Sequence, residues 1–162
     1  MSVHLYTRSS YSILTSTIRI KELVQYAKNL GYTSVALTDH NVMFAAASFI
    51  DACKKEGIHP IVGMEVDCMY HDMIVPFVLL CKDNKGYQQL MVLSSFLNEK
   101  EKTCSLEQLQ SMLPHCHLIA FSEGGFIDSE MVKDDGEGIR EKLQIICFFT
   151  RFLLFLHYIY IL

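Results

Sequence analysis

Residues 34–66 read SVALTDHNVMFAAASFIDACKKEGIHPIVGMEV, and three segments of different character follow one another in them. Ser34 to Thr38 is a short apolar run. Met43 to Glu56 is long, rich in alanine and closed by Gly57, as a helix that stops at a glycine C-cap is. Pro60 to Val66 is apolar again. A strand, a helix and a second strand at this spacing predict a βαβ unit, whose strands lie parallel. Both apolar runs are continuous and do not alternate with polar residues, which fits strands covered on both faces.

The same reading extends outward in both directions. Upstream, Val3 to Tyr6 is a short strand. Arg19 to Leu30 carries Ile20, Leu23, Val24, Ala27 and Leu30 at helical spacing, with Gly31 behind them. Downstream, Tyr70-His71-Asp72 is a turn into a strand from Met73 to Cys81. Helices are expected over Asn84–Asn98 and Leu106–Met112, a strand over His117–Phe121, and helices over Ile127–Asp134 and Gly138–Cys147. Strands alternating with helices predict an α/β fold with a largely parallel sheet.

Composition narrows the class. The chain has 162 residues, 51% hydrophobic and 20% charged, with a formal net charge of -4. Such a chain buries enough apolar surface to fold, and its length suits one domain or part of one. The acidic balance argues against a dedicated nucleic-acid-binding module. Cys53, Cys68, Cys81, Cys104, Cys116 and Cys147 form no C-x-x-C pair, and the first residues lack a signal-peptide pattern. They are read as reduced cytosolic thiols. Neither glycine-rich phosphate loop occurs, which sets nucleotide-binding doubly wound folds aside. From Ile145 to Leu162 the chain turns into IICFFTRFLLFLHYIYIL.

Chemistry in α/β folds gathers beyond the carboxyl ends of the strands. There the chain offers Asp39, His40 and Glu65, a carboxylate–imidazole set that could meet on one rim and ligate a divalent metal. Such centres need three or four protein ligands. The plainer alternative has Asp39 capping the helix near Met43, His40 paired with Asp39, and Glu65 as a solvated strand-end charge. His115-Cys116-His117 follows Pro114 directly and reads as a strand start; His59 and His71 read as surface.

Taken in order, VHLYTRSSYSILTSTIRI, ELVQYAKNLGYTSVALTDHNVMFAA, CKKEGIHPIVGMEV, PFVLLCKDNKGYQQLMVLSS and HLIAFSEGG resemble the N-terminal polymerase and histidinol phosphatase (PHP) domain of bacterial DNA polymerase III alpha subunits, low-GC Gram-positive type. The resemblance implies a distorted βα barrel of seven strands with a divalent metal cluster (Zn, Mn or Mg) at its carboxyl rim. Metal-competent members carry phosphoesterase or proofreading exonuclease activity. Carried over by position, the family's H-x-H motif falls on Tyr6 and Arg8, an acidic position on Thr15, a histidine near Pro76 and a cysteine near Gly124. The T-D-H motif is intact as Thr38-Asp39-His40, and the later glutamate as Glu65. Asp39, His40 and Glu65 are therefore expected as a metal-site remnant, with Arg8 pairing with Glu65 or Asp39 in the metal's stead, and no cofactor is expected.

A closed βα barrel takes ~250 residues, so residues 1–142 are expected to be a partial PHP domain, incomplete at its C-terminus. Residues 143–162 are an apolar tail. It is read as a frameshifted or truncated reading frame, a native apolar helix and strand, or a membrane segment. The function implied is a structural fragment of a DNA-directed DNA polymerase in DNA replication, without the nucleotidyltransferase palm. The alternative is a stand-alone PHP-type metal-dependent phosphoesterase. The implied partners are the remainder of the alpha subunit and the replisome, in the cytoplasm. No direct DNA contact is expected, and the tail invites self-association.

Overall fold

The computed structural model of the chain describes residues 3–70, 72–99 and 103–121. In chain order these form α1 (Ile20–Asn29), β1 (Ser34–His40), α2 (Ala46–Glu56), β2 (His59–Tyr70), β3 (Met73–Cys81), α3 (Asn84–Glu99), β4 (Cys104–Ser105), α4 (Leu106–Met112) and β5 (Cys116–Ala120). The expected βαβ unit is present: β1 and β2 pair in parallel from Ser34↔His59 to His40↔Glu65. Gly57 ends α2 in the left-handed region at φ 71°, where a residue without Cβ carries no steric cost.

The sheet runs β1-β2-β3-β5, and β4 pairs with β2. Because β2 is long and β3 occupies one of its edges, β1 and β4 share the other in succession. The strand Met73–Cys81 departs from a parallel arrangement. It runs antiparallel to both β2 and β5, because a tight turn after Tyr70 can join only antiparallel strands, whereas a parallel return needs a crossover. The other four strands run one way.

The N-terminal strand expected over Val3–Tyr6 is not a regular ladder. His4 and Thr7 carbonyls accept from the amides of Ala36 and Thr38 at 3.1 and 2.8 Å. Three residues advance there against two on β1, and the extra residue disrupts the pairing as a bulge does.

Helices cover one face of the sheet. Under α1 and α2 lie Val35, Leu37 and Val62 with Val24, Phe49 and Cys53. Under α3 and α4 lie Met64, Val66, Phe77, Leu79 and Leu118 with Leu90, Leu93 and Leu109. Residues of opposite parity form the other face: Val78, Leu80 and Ile119 pack with Leu5, Tyr6, Ile61 and Phe121. Phe77 to Leu80 are all buried, which is why the strand reads as an unbroken apolar run. Among the described residues no helix is long and apolar enough to cross a membrane. The apolar stretch 143–162 and the helices expected after Phe121 lie outside the described residues.

Candidate functional site

Alternation along β2 puts Glu65 and Asp67 on the face away from the helices. His40, the register partner of Glu65, faces the same way. Tyr6 and Arg8 reach this face from the N-terminal segment. Thr7 between them is tied to buried Thr38, whose Oγ1 accepts from the Thr7 amide at 3.0 Å and donates to the Thr7 carbonyl at 3.2 Å.

Glu65 is 3% exposed and fully engaged. Arg8 donates to it in a fork, Nε to Oε2 at 2.7 Å and Nη2 to Oε1 at 2.5 Å. The Tyr6 hydroxyl donates to Oε2 at 2.8 Å. Bidentate guanidinium–carboxylate bonds are among the strongest polar contacts in proteins. The Arg8 guanidinium also lies 5.5 Å from the Tyr6 ring centroid, and that ring meets Phe121 edge-on at 5.0 Å. Burial and the Glu65 charge together push the Tyr6 hydroxyl well above its ordinary value, so it stays a protonated donor at neutral pH. Burial pulls the Arg8 guanidinium down, and contact with Glu65 more than reverses that.

Asp39, expected on the same rim, points elsewhere. It follows Thr38 and precedes His40 on one strand, so its side chain leaves the opposite face. There, 2% exposed, it accepts from the Ser9 amide at 2.6 Å, the Ser9 hydroxyl at 2.7 Å and the Ser12 hydroxyl at 2.7 Å. It anchors the 9–16 loop and does not cap a helix: the N-cap of α2 is Ala45, which makes no side-chain cap bond. Thr15 lies in that loop, exposed, donating to the Ser12 carbonyl at 2.9 Å. Pro76 stands opposite Asp67. The Asp67 amide turns away from β3 to donate to Asn41 Oδ1 at 3.0 Å, so this is a non-hydrogen-bonded pair in which proline's missing N–H breaks no bond to β2. Gly124 lies outside the described residues.

His40 pairs with Asp67, Nε2 to Oδ2 at 2.9 Å, and not with Asp39. Asn41, at φ 56°, donates to the same Oδ2 at 3.0 Å, and its amide donates to the Glu65 carbonyl at 2.7 Å. Ser9, Ser12, Asn41 and Asp67, which complete these contacts, are not among the residues the sequence singles out. The signal for Asp67 is its two-residue spacing from Glu65, which fixes a shared face. Among the described residues no group of three or more His, Cys, Asp and Glu is placed to hold a metal ion. His115 Nδ1 lies 2.7 Å from Asp83 Oδ2 at the start of β5.

The His40–Asp67 pair sets a pH window. The hydrogen bond to Asp67 raises His40 above its ordinary 6.5, and the same bond lowers Asp67 below its ordinary 3.8. The His40 contribution is full below the unfolded-state value and is lost as pH rises through the raised folded value. The Asp67 contribution is full above its unfolded value and is lost as pH falls through the lowered one. Stability from the pair is therefore greatest between about pH 4 and 6.5. The imidazole is 37% exposed, and solvent screening holds the effect under ~1 kcal/mol. His40→Gln should flatten the stability decline between about pH 6 and 8; an unchanged slope in urea melts across that range contradicts the pairing.

Residues 4–150 match the PHP domain family. The DNA polymerase III subunit alpha of Bacillus subtilis (strain 168) is 47% identical over 103 residues, covering 62% of this chain and 9% of that protein. The DNA polymerase III subunit alpha of Staphylococcus epidermidis (strain ATCC 35984) is 34% identical over 142 residues, covering 87% of this chain and 13% of that protein. The chain thus spans about a tenth of the length of the curated relatives it matches. Among solved structures, an amidohydrolase from Chromobacterium violaceum with bound sulfate and no metal superposes with a TM-score of 0.59 at 15% identity, over 89% of this chain and 72% of that one. That likeness concerns the fold alone.

Proposed function

The chain belongs to the PHP domain family, and on that premise we propose that it is a structural PHP module of a DNA polymerase III alpha subunit, its rim held by an arginine–glutamate pair. The observation that carries this is the Arg8 fork on buried Glu65. The residues do not fit a divalent cation. Tyr6 is a protonated phenol, a guanidinium is never a ligand, and both Asp39 oxygens are taken by Ser9 and Ser12. A cation beside Glu65 would meet Arg8, at a cost of about 4 kcal/mol for unit charges 4 Å apart at intermediate dielectric. Asp39, His40 and Glu65 are in this reading the positions left from a metal site, and they now hold strand ends and a loop.

On the same reading the process served is DNA replication in the cytoplasm. The partners are the remainder of an alpha subunit and the replisome, and this acidic segment contributes no DNA contact of its own. Calorimetric titration with Zn²⁺ or Mn²⁺ should give no stoichiometric sub-micromolar site. Such a site, abolished by His40→Ala and accompanied by hydrolysis of a generic phosphate ester, would replace the reading with a metal-dependent phosphoesterase.

The composition of residues 143–162 supports a separate role as a self-association segment, since its windows combine high apolarity, β-propensity and almost no charge. Removing Phe148 to Leu162 should turn a polydisperse sedimentation profile into a narrower one. A full chain that sediments as a monomer, and unfolds on that deletion, assigns the segment to the core.

A further inference from the structure

Away from the Arg8–Glu65 rim, the cysteines of the sheet face one another across strands. Cys68 is the register partner of Cys104, and Cys81 is the register partner of Cys116. All four are free thiols, yet the two pairs differ in geometry and access. Cys68 and Cys104 join parallel strands and are both completely buried. Cys81 and Cys116 join antiparallel strands at the end of β3. There Cys116 is completely buried and Cys81 is half-buried.

Hydrogen bonding fixes the kind of site. The Lys82 amide donates to the His115 carbonyl at 2.9 Å, so residues 82 and 115 form a hydrogen-bonded position, and the preceding pair, Cys81 and Cys116, is non-hydrogen-bonded. Opposed residues at such positions have Cα atoms about 4.5 Å apart, with their side chains close. That lies within the range of ~4.4–6.8 Å that disulfide-bonded residues span. The two side chains share one face by register. Gly86 of α3 closes over the pair: a Cβ there would meet Cys116 Sγ at 3.1 Å. Little space is left for bulky adducts on the inner sulfur.

We propose that Cys81 and Cys116 are a peroxide-responsive thiol pair that closes into a reversible cross-strand disulfide between β3 and β5. Cys81, the less buried of the two, loses its proton and attacks one oxygen of hydrogen peroxide. The O–O bond breaks, and the departing hydroxide takes up the released proton as water. Cys81 becomes a sulfenic acid. The Cys116 sulfur then attacks the Cys81 sulfur, the S–O bond breaks, and the hydroxide leaves with the Cys116 proton as a second water. Two thiols and one peroxide give one disulfide and two waters. Cys81 is only part-buried whereas Cys116 is completely buried, and that difference in access favours Cys81 as the attacking sulfur. The Cys68–Cys104 pair has no exposed sulfur to start the sequence.

The test treats the full 162-residue chain with hydrogen peroxide, blocks remaining thiols with N-ethylmaleimide after unfolding, and maps the products by mass spectrometry. The expected result is a linked peptide pair joining Cys81 to Cys116, two hydrogens lighter than the reduced peptides and released by dithiothreitol. Cys116→Ser should stop the sequence at a Cys81 sulfenic acid that dimedone traps. Cys81→Ser should slow oxidation of Cys116 by about tenfold or more. The wild-type map decides the matter even if a variant fails to fold. Full alkylation of both thiols after peroxide, Cys81 linked to any other cysteine, or equal linkage of Cys68 to Cys104 overturns the proposal.

Discussion

The Glu65→Gln variant is expected to unfold at a much lower urea concentration than the parent chain, with a loss of about 3 kcal/mol. Glutamine preserves the shape but replaces one acceptor oxygen with a donor amide. Arg8 Nε, Arg8 Nη2 and the Tyr6 hydroxyl all donate to Glu65. At least one of these donors then faces another donor, and the Arg8 charge loses its partner. Removing one member of a buried pair costs ~3–5 kcal/mol. The Arg8 side chain is 27% exposed, so water recovers part of the loss and the low end applies. Asp72, exposed in the turn before β3, gives the contrast: Asp72→Asn should change stability by less than ~0.5 kcal/mol. Equal urea midpoints for the two variants would remove the pair from its structural role. A double-mutant cycle with Arg8→Met isolates the coupling, because Met keeps most of the aliphatic stem.

Why some of this was readable in the sequence, and some was not, follows from the range of each signal. Helix and strand periods are local, so Met73–Cys81 and Leu106–Met112 appear where the apolar runs place them, and the strand expected over Ser34–Thr38 runs on to His40. The tight turn after Tyr70 even dictates the antiparallel return of β3. Register is less local. The convergence expected of Asp39, His40 and Glu65 holds for His40 and Glu65, which are cross-strand partners. It does not hold for Asp39, because adjacent residues of a strand face opposite sides. The partners of Asp39, Ser9 and Ser12, lie about thirty residues upstream in a loop with no periodic pattern. No spacing rule points to them. Asp67 is a nearer case: its two-residue spacing from Glu65 already places both carboxylates on one face of β2. The N-terminal strand is legible only in part. Its direction along β1 is set by the two carbonyl bonds, while one extra residue denies it a ladder.

Asp39 carries the second large effect. Three donors end on its carboxylate, and Ser9 and Ser12 are 0% and 3% exposed. Asp39→Ala strands all three in a dry setting. Each hydrogen bond to a charged group contributes ~1.5–3 kcal/mol, and an unsatisfied buried donor carries its own penalty. Non-additivity trims the sum, and the loss should be on the order of 3 kcal/mol. Asp39→Asn should cost clearly less. Its carbonyl accepts from the Ser9 amide and the Ser12 hydroxyl, and its amide donates to a rotated Ser9 hydroxyl. The damage should be local before it is global, since the segment behind this anchor is otherwise exposed: Tyr11 is 45% and Leu14 101% exposed. Opening of the 9–16 loop therefore frees cleavable backbone without unfolding the sheet. Chymotrypsin should cut Asp39→Ala at Tyr11 or Leu14 at least about tenfold faster than the parent, with Asp39→Asn between the two. If Asp39 instead acts by facing a cation on the rim, both variants lose metal affinity alike and neither changes the cleavage rate. Parallel proteolysis with and without added Mn²⁺ separates a loop anchor from a ligand.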